Sequence, residues 1–342
     1  MGGNLVTKIS GILASVAIAA VSLALSAGPS LADGPIVGLI TKTNTNPFFV
    51  KMKEGFEKKA KELGLTPQSY AGKADGDNDG QVAAIEQLMA AGAKGILLVP
   101  SDSTAIVPTV KKARDAGIVV ITLDTKLDPV TAADANIGTD NFAAGKLVGE
   151  WTKAKLGDKA ATAKIATLDL TPNQPSVDYE RHNGFLTGFG IPVKNPKHFA
   201  MSDSPQIVGS DVTQGSTEGG RKAMENILQK ADHIDVVYAI NEPAAYGGMA
   251  ALKAAGKDKG VIAVAIDGGC FAMPWLKDGT ISATTQQYPL LMAADGVEQI
   301  AEYLKNGTKP HSIDSGEKLI TDQPMPGVPS ISVEEGSKLC WG

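Results

Sequence analysis

Residues 95–125 read GILLVPSDSTAIVPTVKKARDAGIVVITLDT. Two apolar runs, Gly95-Ile96-Leu97-Leu98-Val99 and Ile118 to Leu123, flank a stretch in which Val107, Val110 and Ala113 share one helical face. Neither run alternates apolar with polar residues, so neither reads as a strand with one face in water. Both read as strands buried on both sides. Strand, helix and strand in that order form a βαβ unit, which requires a parallel sheet with helices covering it.

The same rhythm extends in both directions. Upstream, Ile36-Val37-Gly38-Leu39-Ile40 is another strand; Phe49, Phe56, Ala60 and Leu63 lie close to one helical face, and Val82, Ile85, Leu88 and Met89 form a second. Downstream, Lys164 to Leu168, Val236 to Ala239, Val261 to Ile266 and Ile281 to Thr284 read as strands. Gly145 to Leu156, Ser176 to Phe189, Ser216 to Gln229, Ala244 to Ala255 and Leu290 to Lys305 read as helices. Two successive sets of about five βα units fit two doubly wound α/β lobes better than one oversized sheet. From about Gly307 the chain is rich in Pro, Gly and Ser and reads as an extended tail.

Composition narrows the function. The 342 residues are 43% hydrophobic and 20% charged with a net charge of -5, and of 32 Lys plus Arg only Arg114, Arg181 and Arg221 are arginine. No clustered basic surface is available to neutralise phosphates, which argues against nucleic acid as a partner. Lys8 is the only charge before Asp33, Ile9 to Leu25 is apolar apart from small residues, and Ser30-Leu31-Ala32 follows. A charged start, an apolar centre and a small-x-small end describe a signal peptide spanning 1–32, cut after Ala32. The alternative is an uncleaved membrane anchor, which the Ser-Leu-Ala end disfavours. Two cysteines remain, Cys270 and Cys340. In an exported protein they read as one disulfide tying the C-terminus to the body, the alternative being two separate buried thiols.

Ligands of open α/β sheets bind beyond the carboxyl ends of the strands. Polar or aromatic residues follow five of the strands: Lys42 to Phe49, Asp124 and Thr125, Asn241 and Glu242, Asp267, and Gln286 with Gln287. Phe48 and Phe49 offer rings for the C–H faces of a sugar. Asn46, Asp124, Asn241, Asp267 and Gln287 offer amides and carboxylates for hydroxyls that both donate and accept, and Arg181 can fork onto two neighbouring hydroxyls. Taken singly, Phe49 suits a core and each Asp suits a helix cap; the case rests on their recurrence at equivalent exits. No phosphate-binding Gly-rich loop, nucleophile elbow or metal-spaced histidine set is present, so no catalytic apparatus, cofactor or metal is expected. His182 adjoins Arg181 and is a candidate for lining the site, whereas His198, His233 and His311 read as surface residues. Asp75-Gly-Asp77-Asn-Asp79-Gly80 with Glu86 matches a calcium-loop pattern, but Glu86 falls inside a helical stretch, which favours helix capping over calcium.

Several segments then resemble one family. TNPFFVKMKEGFEKKAKELG, GILLVPSDSTAIVPTVKKARDAGIVVITLDT, NIGTDNFAAGKLVGEW, YERHNGF, YAINEPAAYGGMAALKAAG and VIAVAIDGG are similar, in order from about residue 36 to 320, to the periplasmic ribose-type sugar-binding proteins of ABC importers. Within it, GLITKTNTNPFFVKMKEG, GDNDGQVAAIE, DGGC, TTQQYPLLMA and the terminal LCWG resemble fructose-binding members. The resemblance implies sugar contacts from Lys42, Asn46, Phe48, Phe49, Asp124, Arg181, Asn241, Asp267 and Gln287. It departs at two places: Thr125 follows Asp124 where the ribose binder has Arg, and Val99 precedes Pro100 where the ribose binder has Asn. A site that leaves a buried hydroxyl unpaired rejects that sugar, so the resemblance points to a ketohexose such as fructose ahead of ribose or mannose.

The resemblance also implies a type I periplasmic binding protein fold with three hinge crossovers, near Thr139-Asp140, Gln287-Tyr288 and Leu319-Thr321. One lobe would comprise 33–139 plus 288–320, the other 140–287 plus 321–342 with the tail. A periplasmic monomer closing on its sugar and passing it to a membrane permease is the expected mechanism. A regulator on this fold would need a DNA-binding start where the apolar leader stands. An enzyme would need the missing constellations. The nearest rival is a binder of a sugar alcohol or sugar-like signal that serves a chemoreceptor.

Overall fold

The structure is a computed structural model that describes residues 1–2, 34–200 and 203–342. The export signal expected over 1–32, apart from residues 1–2, and its cleavage point lie outside the described residues. Asp33–Gly342 form one unit holding two six-stranded sheets.

The first sheet contains β1 (Ile36–Thr41), β2 (Thr66–Ala71), β3 (Gly95–Leu98), β4 (Val119–Leu123), β5 (Ala135–Gly138) and β11 (Ile313–Asp314), in the order β11-β5-β4-β3-β1-β2. Every pair in it is parallel. The second contains β6 (Ile165–Asp169), β7 (Ile207–Val212), β8 (Val236–Ala239), β9 (Ile262–Asp267), β10 (Ala283–Gln286) and β12 (Lys318–Ile320), in the order β12-β10-β9-β8-β6-β7. Only β12 runs antiparallel to its neighbour. The helices are α1 (Pro47–Glu62), α2 (Asn78–Ala90), α3 (Val107–Asp115), α4 (Asn141–Leu156), α5 (Ser176–Phe189), α6 (Thr217–Leu228), α7 (Glu242–Ala254), α8 (Met273–Lys277), α9 (Pro289–Asn306) and α10 (Val333–Leu339). Both halves are doubly wound, as the unbroken apolar runs require.

The central strands are fully buried, and apolar clusters cover both faces of each sheet. The sequence alone sets no bounds for β2 or β7, for a physical reason. Both lie at sheet edges and are half-buried, and their sequences, TPQSYA and IVGSDV, carry polar residues a central strand excludes.

The chain passes between lobes at three points. Asp140 caps α4 after β5, and α9 begins after β10 and packs on α1. The third passage departs from expectation. Lys318–Ile320 pair with β10 in the second sheet, so the crossing lies in 315–317, not at Leu319–Thr321, and the first lobe's share ends before 318. Leu319 and Ile320 are buried in the second lobe's core, and Gly316 at φ 78° supplies the turn. The C-terminal segment is likewise more ordered than an extended tail: α10 opens with a reciprocal capping box between Ser332 and Glu335. Cys270 and Cys340 are joined by a disulfide, with their Cα atoms 5.0 Å apart.

Candidate functional site

The site lies where the strand ends of the two lobes face each other. Each wall is set by an element start. Asn46 caps α1 through its Oδ1, which accepts from the Phe48 amide at 3.0 Å, and Pro47 fits the first helical turn. That start puts Phe48 and Phe49 side by side, ring centroids 5.5 Å apart and edge to face. Asn241 caps α7: its Oδ1 accepts from Ala244 N at 3.1 Å, and its Nδ2 donates to Gly215 O at 2.9 Å. Asp124 and Asp267, at the ends of β4 and β9, adopt φ of 59° and 142°. Backbone strain of this kind persists only where surrounding contacts enforce it.

Arg181 is placed by helix packing. Gly145 and Gly149 of α4 meet the backbone of α5 so closely that a Cβ on Gly145 would stand 2.1 Å from the Arg181 carbonyl oxygen. From there the guanidinium spans the cleft. Its Nε donates to Asn141 Oδ1 at 2.7 Å, Nη1 to Ile240 O at 3.0 Å and Nη2 to Asp124 Oδ1 at 3.3 Å, and Nη1 lies 3.7 Å from Asp267 Oδ1. Gln287 Nε2 donates to Asp267 Oδ1 at 2.7 Å, while Gln287 Oε1 is buried without a partner.

All nine residues singled out in the sequence line one cavity of about 320 Å³ of space between atoms, its mouth included. The cavity has four further walls that sequence reading missed. Leu170, Val177 and Ile240 are apolar. Asp75 is the fourth: it is buried, its Oδ1 accepts no hydrogen bond, and the Lys42 ammonium lies 3.8 Å away. The calcium-like loop therefore divides its labour. Asp77 caps α2 by accepting from Gly80 N at 3.0 Å, Glu86 sits exposed inside α2, and Asp75 turns into the cavity. Among the described residues no group of His, Cys, Asp or Glu is arranged to hold a metal.

His182 is not in the lining. Its Nδ1 meets Asp169 Oδ1 at 2.8 Å and its ring stacks on Phe199 at 3.9 Å, so it is a core group of the second lobe. Glu242 stands behind the site. Its two oxygens accept from Gly268 N at 2.9 Å and Gly269 N at 3.1 Å, fixing the loop that carries Asp267.

Two cationic and three acidic side chains thus share a small volume out of water. Burial pushes the Asp267 carboxyl up to about 7, although the Arg181 charge opposes the shift. Burial, then the neighbouring Asp267 charge, pushes Glu242 up to about 8. Burial also raises Asp75 above the usual carboxylate range, with Lys42 opposing. Carboxylates, amides and a guanidinium next to two phenyl rings suit a small polyhydroxylated ligand: hydroxyls meet charged partners while C–H faces meet aromatic ones.

Comparisons with known proteins agree with this arrangement. The family described as periplasmic binding protein domain matches residues 37–309. The chain is 30% identical over 287 residues to a ribose import binding protein of Bacillus subtilis, covering 84% of this chain and 87% of that protein. It is also 30% identical to a D-ribose/D-allose-binding protein of Pseudomonas aeruginosa, covering 82% and 86%. Among solved structures, a solute-binding protein of Agrobacterium vitis with bound D-fucose superposes with a TM-score of 0.75 at 27% identity, covering 85% of this chain and 97% of that one. These relatives are solute-binding proteins and not enzymes.

Proposed function

Because this chain belongs to the periplasmic binding protein family, we propose that it captures a monosaccharide in the periplasm, with fructose as its ligand, and delivers it to the permease of an ABC importer. The observation that carries the reading is the convergence of Lys42, Asn46, Phe48, Phe49, Asp124, Arg181, Asn241, Asp267 and Gln287 on one cavity. Sugar entering it exchanges hydroxyl–water bonds for charged and amide partners, and its C–H faces meet Phe48 and Phe49. Asp124 comes from the first lobe and Arg181 with Asp267 from the second, so a bound sugar contacts both and favours the closed arrangement.

Fructose is preferred to the ribose and allose named for the relatives because the polar inventory differs. Thr125 Oγ1 donates to Asp124 Oδ2 at 2.8 Å and is engaged with its neighbour. The carbonyl of Val99 accepts from Gln81 Nε2 at 2.8 Å. The Lys42–Asp75 pair brings a charge of each sign to the lining instead, with Asp75 Oδ1 free to accept a hydroxyl. Calorimetric titration of the exported protein with fructose, ribose, allose, mannose, xylitol and myo-inositol tests this. Saturable heat with fructose tightest is the expected result. Tighter ribose or allose binding overturns fructose, tighter xylitol or myo-inositol binding favours the polyol reading, and no saturation with any of them overturns the sugar reading.

A further inference from the structure

Trp341 lies outside the cavity lining yet touches residues of the site from both lobes. Its ring meets Phe48 of α1 edge to face, centroids 5.5 Å apart, and Phe271 at 5.7 Å. Its indole Nε1 donates to the Asp267 carbonyl oxygen at 3.0 Å. That oxygen also accepts from the Gln287 amide at 2.9 Å. The side chain is 4% exposed and belongs to the apolar cluster of the first lobe, whereas its backbone is held on the second: Cys270 N donates to Trp341 O at 3.0 Å, and a bridge pairs Trp341 with Gly269. The Cys270–Cys340 disulfide closes one residue before it.

We propose that Trp341, pinned by the Cys270–Cys340 disulfide, is a positioning residue for the sugar site, holding the Phe48 ring of one lobe and the Asp267 peptide of the other in the arrangement that grips the ligand. This rests on the reading of the cavity as a sugar site. A covalent link, a backbone bridge and a buried indole restrain the last residues, and each restraint converges on the segment carrying Asp267. Asp267 at φ 142° needs outside support, and its carbonyl receives that support from Trp341 and Gln287. Phe48 packs edge to face with Phe49 on one side and Trp341 on the other, so removing the indole leaves the ring that faces the sugar free to tilt.

The test compares fructose dissociation constants, dissociation rates and ligand-free melting temperatures of the wild type, Trp341→Leu, Trp341→Phe and the double variant Cys270→Ser/Cys340→Ser. Trp341→Leu fills the apolar space but loses both the ring contact and the donor, and it should weaken binding by about 30-fold. Trp341→Phe retains a ring against Phe48 without the donor and should recover most of that loss, leaving about fivefold. The double variant should bind more weakly than the wild type with faster release. Variants that melt lower than the wild type yet bind fructose within twofold of it would show a merely structural tail and overturn the proposal. Should Trp341→Leu fail to fold, Trp341→Phe and the cysteine variant decide the same question. A wild type that binds none of the sugars overturns the sugar reading and this proposal with it, an outcome distinct from equal binding by all four proteins.

Discussion

Asp267 shows how a single residue can be costly to place and useful once placed. Its φ of 142° is strained for a side chain with a Cβ, and its carboxyl is raised to about 7, chiefly by burial. A raised carboxyl pKa means the folded state holds the proton more tightly than the unfolded one. The resulting stability is complete below the ordinary value of 3.8 and is lost as pH rises through about 7. Glu242, raised to about 8, adds a loss of the same sign slightly higher in pH. The ligand-free protein should therefore melt at progressively lower temperature from about pH 4 to about pH 8, with a free-energy change on the order of a few kcal/mol. Asp267→Asn keeps an acceptor for Gln287 and cannot ionise, so it should remove the part of that decline due to Asp267 and shrink the part due to Glu242, whose carboxyl the Asp267 charge helps to raise. Thermal melts across the pH range decide it; a decline in the variant as steep as in the wild type would refute this account of Asp267.

Elements set how accurately such residues are aimed. α4 and α5 approach through reciprocal glycines: Cβ atoms on Gly145 and Gly149 would crowd α5 backbone oxygens, and Cβ atoms on Gly184 and Gly188 would crowd those of α4. Gly145→Ala would place a methyl 2.1 Å from the Arg181 carbonyl oxygen, so the helices must separate at the residue whose guanidinium crosses the cleft. We expect about 1–3 kcal/mol of destabilisation and a marked loss of sugar affinity. A destabilised variant that binds sugar normally would mean that Arg181 tolerates the helix shift. The sequence made such elements unequally legible. β1, β3, β4, β6, β8 and β9 were plain because burial on both faces leaves an unbroken apolar run, whereas buried β5 is short and carries Asn136, and it left no such run. The nine residues that line the cavity could be singled out because eight of them follow strands and Arg181 sits in the YERHNGF segment. The half-polar edge strand β2 gave no pattern to bound it, and so its exit toward Asp75 was not counted among those lining the cavity. Trp341 was hidden differently: a Pro-, Gly- and Ser-rich tail gives no periodic signal, and its value comes from tertiary contacts with Phe48 and Asp267 that local pattern does not encode.

At the scale of the whole molecule, the two lobes are joined across the cleft by more than the sugar-site residues. The Lys126 ammonium from the first lobe lies 3.0 and 3.1 Å from the two oxygens of Glu180 on α5. Lys126 N donates to Ser176 Oγ at 2.8 Å, Ser176 N donates to Ser103 Oγ at 2.9 Å, and Asn173 Nδ2 donates to Ser101 O at 3.0 Å. These contacts join the lobes directly and favour the closed arrangement, and apparent affinity rises with the fraction of protein that is closed. Lys126 and Glu180 side chains are 32% and 18% exposed, so solvent screens the pair, and its worth is about 1 kcal/mol at most. Lys126→Met removes that charge without touching the cavity lining. Fructose affinity should fall about fivefold at low salt, and the difference from the wild type should shrink as salt rises, since screening weakens the pair in the wild type alone. Calorimetry at low and high ionic strength measures both. If the variant matches the wild type at low salt, the pair does not favour the closed arrangement over the open one, and closure must draw its energy from the sugar and the backbone-mediated contacts alone.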